Sequence, residues 1–356
     1  MNKSYVAEKL EDRSIIRVTG PETSSFLQGM VTNDIDHLMD EDDHQGLPLF
    51  SSTIKPNDKE NYDNNERSQL TLLKRSMYAM LLNTSGRVIF DIIVIQLSNT
   101  CFLLDCHAES ASKLVKHLKM YRVRRKIDIS IDSKAQVWSI FSPHIIPMAE
   151  LNNSIMAEDY EQLALSVSDT ISTVDPRVKQ LGFRVIIKDS DSKTGHILGS
   201  ISNDNQPSYT GLKYRLGVGE SPYEIIPGKA LPLESNADYL HGVSFHKGCY
   251  IGQELTARTH HTGVVRKRVM PIFINEKCND NVTAGANIEN LTSGKSVGKI
   301  LSRVNDNAIG LMRVDECMNA EKNNELLVLS EDKTVNVTVS RPEWWPEVSP
   351  TKLPGK

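Results

Sequence analysis

Between Arg266 and Val339 the chain is cut into short apolar runs bounded by glycine, asparagine and aspartate. They are Val269-Met270-Pro271-Ile272-Phe273, Val297-Gly298-Lys299-Ile300, Ala308-Ile309-Gly310-Leu311, Leu326-Leu327-Val328-Leu329 and Val335-Asn336-Val337-Thr338-Val339. Runs of this length with turn residues between them suit strands. A series of strands must protect its edges, so the segment predicts a small all-β barrel.

The rest of the chain is mixed. Ile15-Ile16-Arg17-Val18 reads as a strand, and Pro21 and Glu22 favour a short helix around Ser24 to Gln28. Tyr78 to Leu82 and Arg87 to Ile95, joined by Asn83-Thr84-Ser85-Gly86, carry a hairpin signal. Cys101 to Cys106 reads as a strand leading into a helix from Ala108 to Met120, where Leu114, Val115 and Leu118 fall at helical spacing. Tyr121 to Arg125 then looks strand-like, Val137 to Phe141 and Val185-Ile186-Ile187 are further strands, and Tyr209 to Gly217 is helical. The expectation is an α+β body with an appended barrel: an N-terminal part at 1–135, a second part at 136–262 and the barrel with its tail at 263–356. A polar stretch at about 36–68 is too weakly hydrophobic to fold alone and reads as a flexible insertion.

Charge excludes some functions. Lysine and arginine number 41 against 45 acidic residues, a net −4, so the whole chain lacks the footprint of a dedicated nucleic-acid binder. No apolar run approaches a membrane-spanning length. Five scattered cysteines, an odd number, do not make a disulfide framework and point to a reducing compartment. The N-terminus shows neither a signal core nor a transit-peptide composition. One basic run, Lys113, Lys116, Lys119, Arg122, Arg124, Arg125 and Lys126, has no carboxylate within it. It reads as a solvated face or as a dock for an anionic ligand or an acidic partner, with nucleic acid third because no aromatic platform accompanies it.

Candidate chemistry concentrates between Leu231 and Arg268. Cys249 is flanked by Gly248 and Gly252, follows Lys247 and precedes a helix start, surroundings that favour a thiolate. The readings are a soft-metal ligand, a reactive thiolate or a small residue in a turn. His260 and His261 follow, yet one cysteine and two histidines do not close a four-ligand site, and no CxxC pair exists. Any metal at Cys249 must therefore draw ligands from a partner or an exogenous thiol. Asp91 sits in an apolar strand, so its carboxylate is either buried with a partner or lines a cavity.

Lys247-Gly248-Cys249-Tyr250-Ile251-Gly252-Gln253-Glu254 resembles the signature of the folate-binding branch of the aminomethyltransferase (glycine-cleavage T-protein) superfamily. Its extension from Leu255 to His261 and through Arg266-Lys267-Arg268 is similar to the mitochondrial iron-sulfur assembly factors of that branch. Phe26-Leu27-Gln28-Gly29, Thr32-Asn33-Asp34, Gly86-Arg87-Val88 with Asp91, Tyr121 to Arg124, Asp175-Pro176-Arg177, Leu181 to Arg184 and Trp344-Trp345-Pro346 agree.

The resemblance implies an α+β aminomethyltransferase-like three-part ring around a central channel, with the small β-barrel C-terminal. It also implies a monomer in the mitochondrial matrix that acts late in [4Fe-4S] protein maturation and serves recipient apoproteins indirectly. Its partner would be an A-type iron-sulfur carrier sharing a [2Fe-2S] cluster through Cys249, with His260 and His261 nearby. Lys247, Tyr250, Gln253, Glu254, Arg266, Lys267 and Arg268 would then contact that partner. A folate channel would use Asp91, Arg215, Glu234 and Arg258, with tetrahydrofolate as a further candidate ligand and a one-carbon transferase as the alternative function. Enzymatic turnover is not expected. The family's paired aspartates are reduced to Asp91, and Arg215-Leu216-Gly217-Val218-Gly219 carries Gly217 where the enzymes place a glutamate.

Overall fold

The computed structural model describes residues 5–38, 71–72, 76–145, 170–187, 208–275 and 282–347. The insertion expected at 36–68 therefore lies outside the described residues, apart from its first three. In chain order the elements are β1 (Val6–Lys9), β2 (Arg13–Thr19), α1 (Thr23–Gln28), β3 (Thr71–Leu72), β4 (Ser76–Leu82), β5 (Val88–Ser98) and β6 (Cys101–His107). There follow α2 (Ala108–Arg122), β7 (Asp128–Ile131), β8 (Gln136–Phe141), β9 (Thr170–Val174) and β10 (Phe183–Ile187). The remainder comprises α3 (Tyr209–Leu216), α4 (Gln253–Thr262), β11 (Lys267–Ile274), β12 (Asn287–Asn290), β13 (Ser296–Val304), β14 (Asn307–Arg313), α5 (Val314–Lys322), β15 (Leu327–Leu329) and β16 (Asn336–Val339).

The chain divides into two compact units, each assembled from discontinuous segments. One comprises 1–29, 34–77 and 92–206, and the other 30–33, 78–91 and 207–356. The expected boundary at 135 is not one of the crossing points: β1 pairs antiparallel with β8, Ala7 opposite Ile140, so parts 1–135 and 136–262 share a sheet.

The first unit contains that sheet, ordered β1-β8-β10-β9-β3, and the strands β5-β6-β2-β7. Helix α2 packs on β2, β6 and β7 through Ala111, Leu114 and Leu118, while its lysines stay exposed. His107 caps it by accepting the Glu109 N–H at Nδ1, 3.3 Å away. The strand expected from Tyr121 does not form. The helix runs on to Arg122 and stops at Val123, whose φ of 53° reverses the backbone, and the Arg122 guanidinium then donates to Ile127 O at 2.9 Å.

Among the described residues of this unit, five charged side chains form one buried cluster. Arg13 donates to Asp105 at 2.7 Å, Arg184 lies 3.4 Å from the same carboxylate and 3.3 Å from Asp175, and Arg177 closes on Asp175 at 2.7 Å. Burial alone would raise the Asp175 carboxyl, but the Arg177 and Arg184 guanidiniums overcome it and hold the group below the usual carboxylate range. Asp175-Pro176-Arg177 and Arg184, two of the motif stretches, are thus internal wiring for the β8–β9–β10 end of the unit.

In the second unit β11-β14-β13-β12-β15-β16 form the closed six-stranded barrel expected from the alternating runs. Met270, Ile272, Ile288, Ile300, Ala308 and Met312 fill it, and Cys317 and Ala320 bring α5 onto the same core. The β11 pattern departs from strict alternation because α3 covers its other face, where Tyr214 packs with Val269 and Ile309.

Candidate functional site

The Cys249 segment is built from three stretches far apart in sequence and all within the second unit. Met30–Asn33 acts as a splint. Thr32 makes two bonds with Met80 of β4, its backbone N–H donating to Met80 O at 2.9 Å and its side-chain Oγ1 accepting the Met80 N–H at 2.9 Å. The same Thr32 hydroxyl donates to Gly242 O at 2.6 Å, and Thr32 O accepts the Ser244 N–H at 3.0 Å. The Asn33 amide donates to Tyr78 O and His241 O at 2.8 and 2.7 Å. Strand, splint and cysteine loop are thereby joined through satisfied backbone groups.

Lys247 completes this arrangement. Its ammonium donates to Val31 O at 2.8 Å and Asn33 O at 2.6 Å and stands 5.2 Å from the centre of the Tyr250 ring. Lys247 is thus a clamp on the splint. Tyr250 is half-buried, and burial pushes its phenol up to about 12. Its N–H donates to Gln253 Oε1 at 3.1 Å while the Gln253 N–H donates to Tyr250 O at 3.3 Å, a reciprocal pair that starts α4. Gln253 is therefore also engaged internally, and Glu254 is exposed in the first helical turn.

Between these anchors Cys249 is exposed with a free thiol. His260 stacks on Phe245 at 3.6 Å with the rings 11° apart, and His261 meets His260 edge-on at 5.2 Å. Among the described residues no three His, Cys, Asp or Glu side chains converge to hold a metal.

The expected folate residues have separate surroundings. Asp91 is buried and its Oδ1 accepts the Ser221 N–H at 2.9 Å. Arg215 is half-buried in α3, where burial lowers its pKa, and Arg258 is exposed on α4. Burial raises the Glu234 carboxyl, against the pull of Lys267 and Arg87. Gly217 is the left-handed cap of α3 at φ 72°, and a Cβ there would lie 2.7 Å from Pro271 Cδ, so the position has no room for a carboxylate-bearing side chain. Trp344 donates its indole N–H to Leu216 O at 2.7 Å, closing the same helix end.

Of the basic triplet, Arg266 is exposed and Lys267 half-buried. Arg268 is not available to a partner. It is buried, forms a two-pronged pair with Asp238 at 2.8 Å per contact, and lies 3.7 Å from the centre of the Tyr239 ring. A buried group that sequence reasoning missed lies beside Asp91: Lys213 bonds Glu220 at 2.6 Å, and the Tyr214 hydroxyl donates to Glu224 at 2.5 Å. Its only signal was charge next to the α3 apolar positions.

A human protein described as "Iron-sulfur cluster assembly factor IBA57, mitochondrial" is 33% identical over 356 residues, 97% of this chain and 87% of its own length. The chain belongs to the IBA57 family. The mouse protein of that description is 31% identical over 96% of this chain and 86% of its own length. Members of the family carry a mitochondrial designation, and the localisation expected from the motifs holds at that level. Residues 266–347 match the family model described as the CAF17 C-terminal β-barrel domain.

Aminomethyltransferase T of the glycine cleavage system from Bartonella henselae superposes with a TM-score of 0.64, covering 96% of this chain and 86% of its own at 14% identity. The chain therefore has the aminomethyltransferase T-like α+β fold expected from its motifs, and a match at that identity carries the fold alone. In this chain the splint and the clamp tie Thr32-Asn33 and the Lys247-Gly248-Cys249 loop, far apart in sequence, into one hydrogen-bonded assembly.

Proposed function

We propose that this chain is a non-catalytic assembly factor for late-stage mitochondrial [4Fe-4S] protein maturation, contributing Cys249 as one thiolate to a [2Fe-2S] cluster shared with an A-type iron-sulfur carrier. The observation that carries this reading is an exposed thiol on a clamped loop, without the further ligands a closed site would need among the described residues. Such a group suits bridging: it supplies one soft ligand and leaves the remaining iron positions to the carrier's cysteines.

The cluster is cargo here. Binding requires the Cys249 thiol to lose its proton to solvent or to a departing ligand, with no change in its oxidation state. The protein's part is positional. Lys247 and the Thr32-Asn33 splint fix the loop, so the thiolate is presented without ordering the chain at the moment of transfer.

Anaerobic reconstitution of the full chain with an A-type carrier tests this. The wild type is expected to give a coloured complex containing both chains, and Cys249→Ala is expected to fold normally and give none. An unchanged visible spectrum with Cys249→Ala would overturn the proposal.

A further inference from the structure

The outer face of α2 remains without a role in the reading above. Lys113, Lys116 and Lys119 stand exposed on the side of the helix opposite the buried Ala111, Leu114 and Leu118, and Arg124, Arg125 and Lys126 continue the charge beyond its end. Lys113, Lys116, Lys119 and Arg124 form no ion pair among the described residues. Glu109 and Asp128, both exposed, bracket the patch in sequence, and a third exposed carboxylate, Glu22, reaches its far end, where Oε2 accepts the Lys126 N–H at 3.0 Å.

Two large apolar side chains stand among these cations. Met120 is 65% exposed and Val123 77%. Val123 also occupies a turn at φ 53°, a backbone region that a β-branched residue enters at a cost glycine or asparagine would avoid.

From this juxtaposition we infer that the C-terminal half of α2 and the following turn form a peripheral dock for an anionic phospholipid bilayer. The exposed long side chains of the patch are donor-only cations, suited to a diffuse field of phosphates rather than to the mixed donors and acceptors of a protein surface. Exposed methionine and valine at the centre of such a field gain only if the layer behind the phosphates is apolar, as it is in a membrane and is not in a nucleic acid. Stacking on bases would require an exposed aromatic ring, whereas Tyr121 is half-buried and packs at 4.9 Å on His117.

Flotation of the full chain with vesicles of phosphatidylcholine alone, and of phosphatidylcholine with cardiolipin, tests the dock. Wild type is expected on the cardiolipin vesicles only, with partitioning that falls as salt rises. Each of Lys113→Glu, Lys116→Glu and Lys119→Glu should weaken it about fivefold or more. Replacing Met120 and Val123 together by serine should weaken it about tenfold with the charge unchanged. All five side chains are exposed, so circular dichroism should be unaltered. Equal partitioning onto both vesicle types, or full binding by the serine double variant, would overturn the inference.

Discussion

Gly86, in the β4–β5 turn, and Gly252, at the start of α4, pack backbone against backbone. A Cβ on Gly252 would lie 3.3 Å from Gly86 Cα and 2.3 Å from Asn83 O, and one on Gly86 would lie 2.9 Å from Leu255 Cβ and 3.0 Å from Gly252 O. Both have positive φ, 76° and 77°. The hairpin motif and the cysteine motif therefore meet at a point where neither tolerates a side chain, and this contact sets how α4 leaves the Cys249 loop.

Gly252→Ala should consequently cost about 2–4 kcal/mol, the sum of a left-handed alanine and an overpacked contact. Gly248→Ala, whose Cβ would meet nothing within 4 Å, should be nearly neutral. Urea unfolding of the pair checks this, and equal midpoints would refute the contact argument.

Removing the Lys247 ammonium leaves Val31 O and Asn33 O without their donor. Lys247→Met should therefore destabilise the second unit by about 2 kcal/mol. It should also speed hydrogen exchange at the Ser244 amide, which bonds the same splint. If exchange at Ser244 is unchanged, Lys247 is not the clamp described here.

How far the sequence reveals these features depends on the range of the interaction. The barrel strands, the Asn83–Gly86 turn and the helix α3 were legible because each is decided by neighbours a few residues away. The internal partners of Lys247 and Arg268 were hidden for the opposite reason: a lysine or arginine in a motif shows its charge, while the carbonyls of Val31 and Asn33 lie more than two hundred positions away. Asp238 is nearer to Arg268, yet nothing local distinguishes a buried guanidinium from a surface one. Tyr121 to Arg125 failed differently. Val123 favours a strand by propensity, but α2 continues on Leu114 and Leu118 until tertiary packing lets it stop. Cys249 stood out because a metal-ligand count is a property of composition, and the structure leaves it an exposed thiol.

Arg268 should be among the least replaceable residues of the second unit. Its guanidinium bonds Asp238 twice and Leu233 O at 2.9 Å while stacking on Tyr239, so Arg268→Ala strands a largely buried carboxylate and should cost about 3–5 kcal/mol. Lysine cannot reproduce the two-pronged contact and should not rescue it. A double-mutant cycle with Asp238→Asn measures the coupling, and additive single effects would show that the pair acts as two independent contacts.

The barrel core supplies a pH signature of its own. Burial, with a smaller push from Glu316, raises the Cys317 thiol from its ordinary 9.0 to about 12. The folded state then keeps the proton that the unfolded chain releases above about 9, so the unfolded state binds fewer protons across this window. The stability held below pH 9 is accordingly lost as pH rises toward 12. Tyr250, raised from 10.0 to about 12, adds to the decline from pH 10 upward. Cys317→Ala removes the first contribution and creates a small cavity in exchange. It should be slightly less stable than wild type at neutral pH and lose less stability on the alkaline side. Urea midpoints followed from neutral pH through the thiol range check this: parallel declines for the two proteins would mean that the Cys317 proton is not linked to folding, whereas a shallower slope for Cys317→Ala assigns the alkaline loss to the barrel.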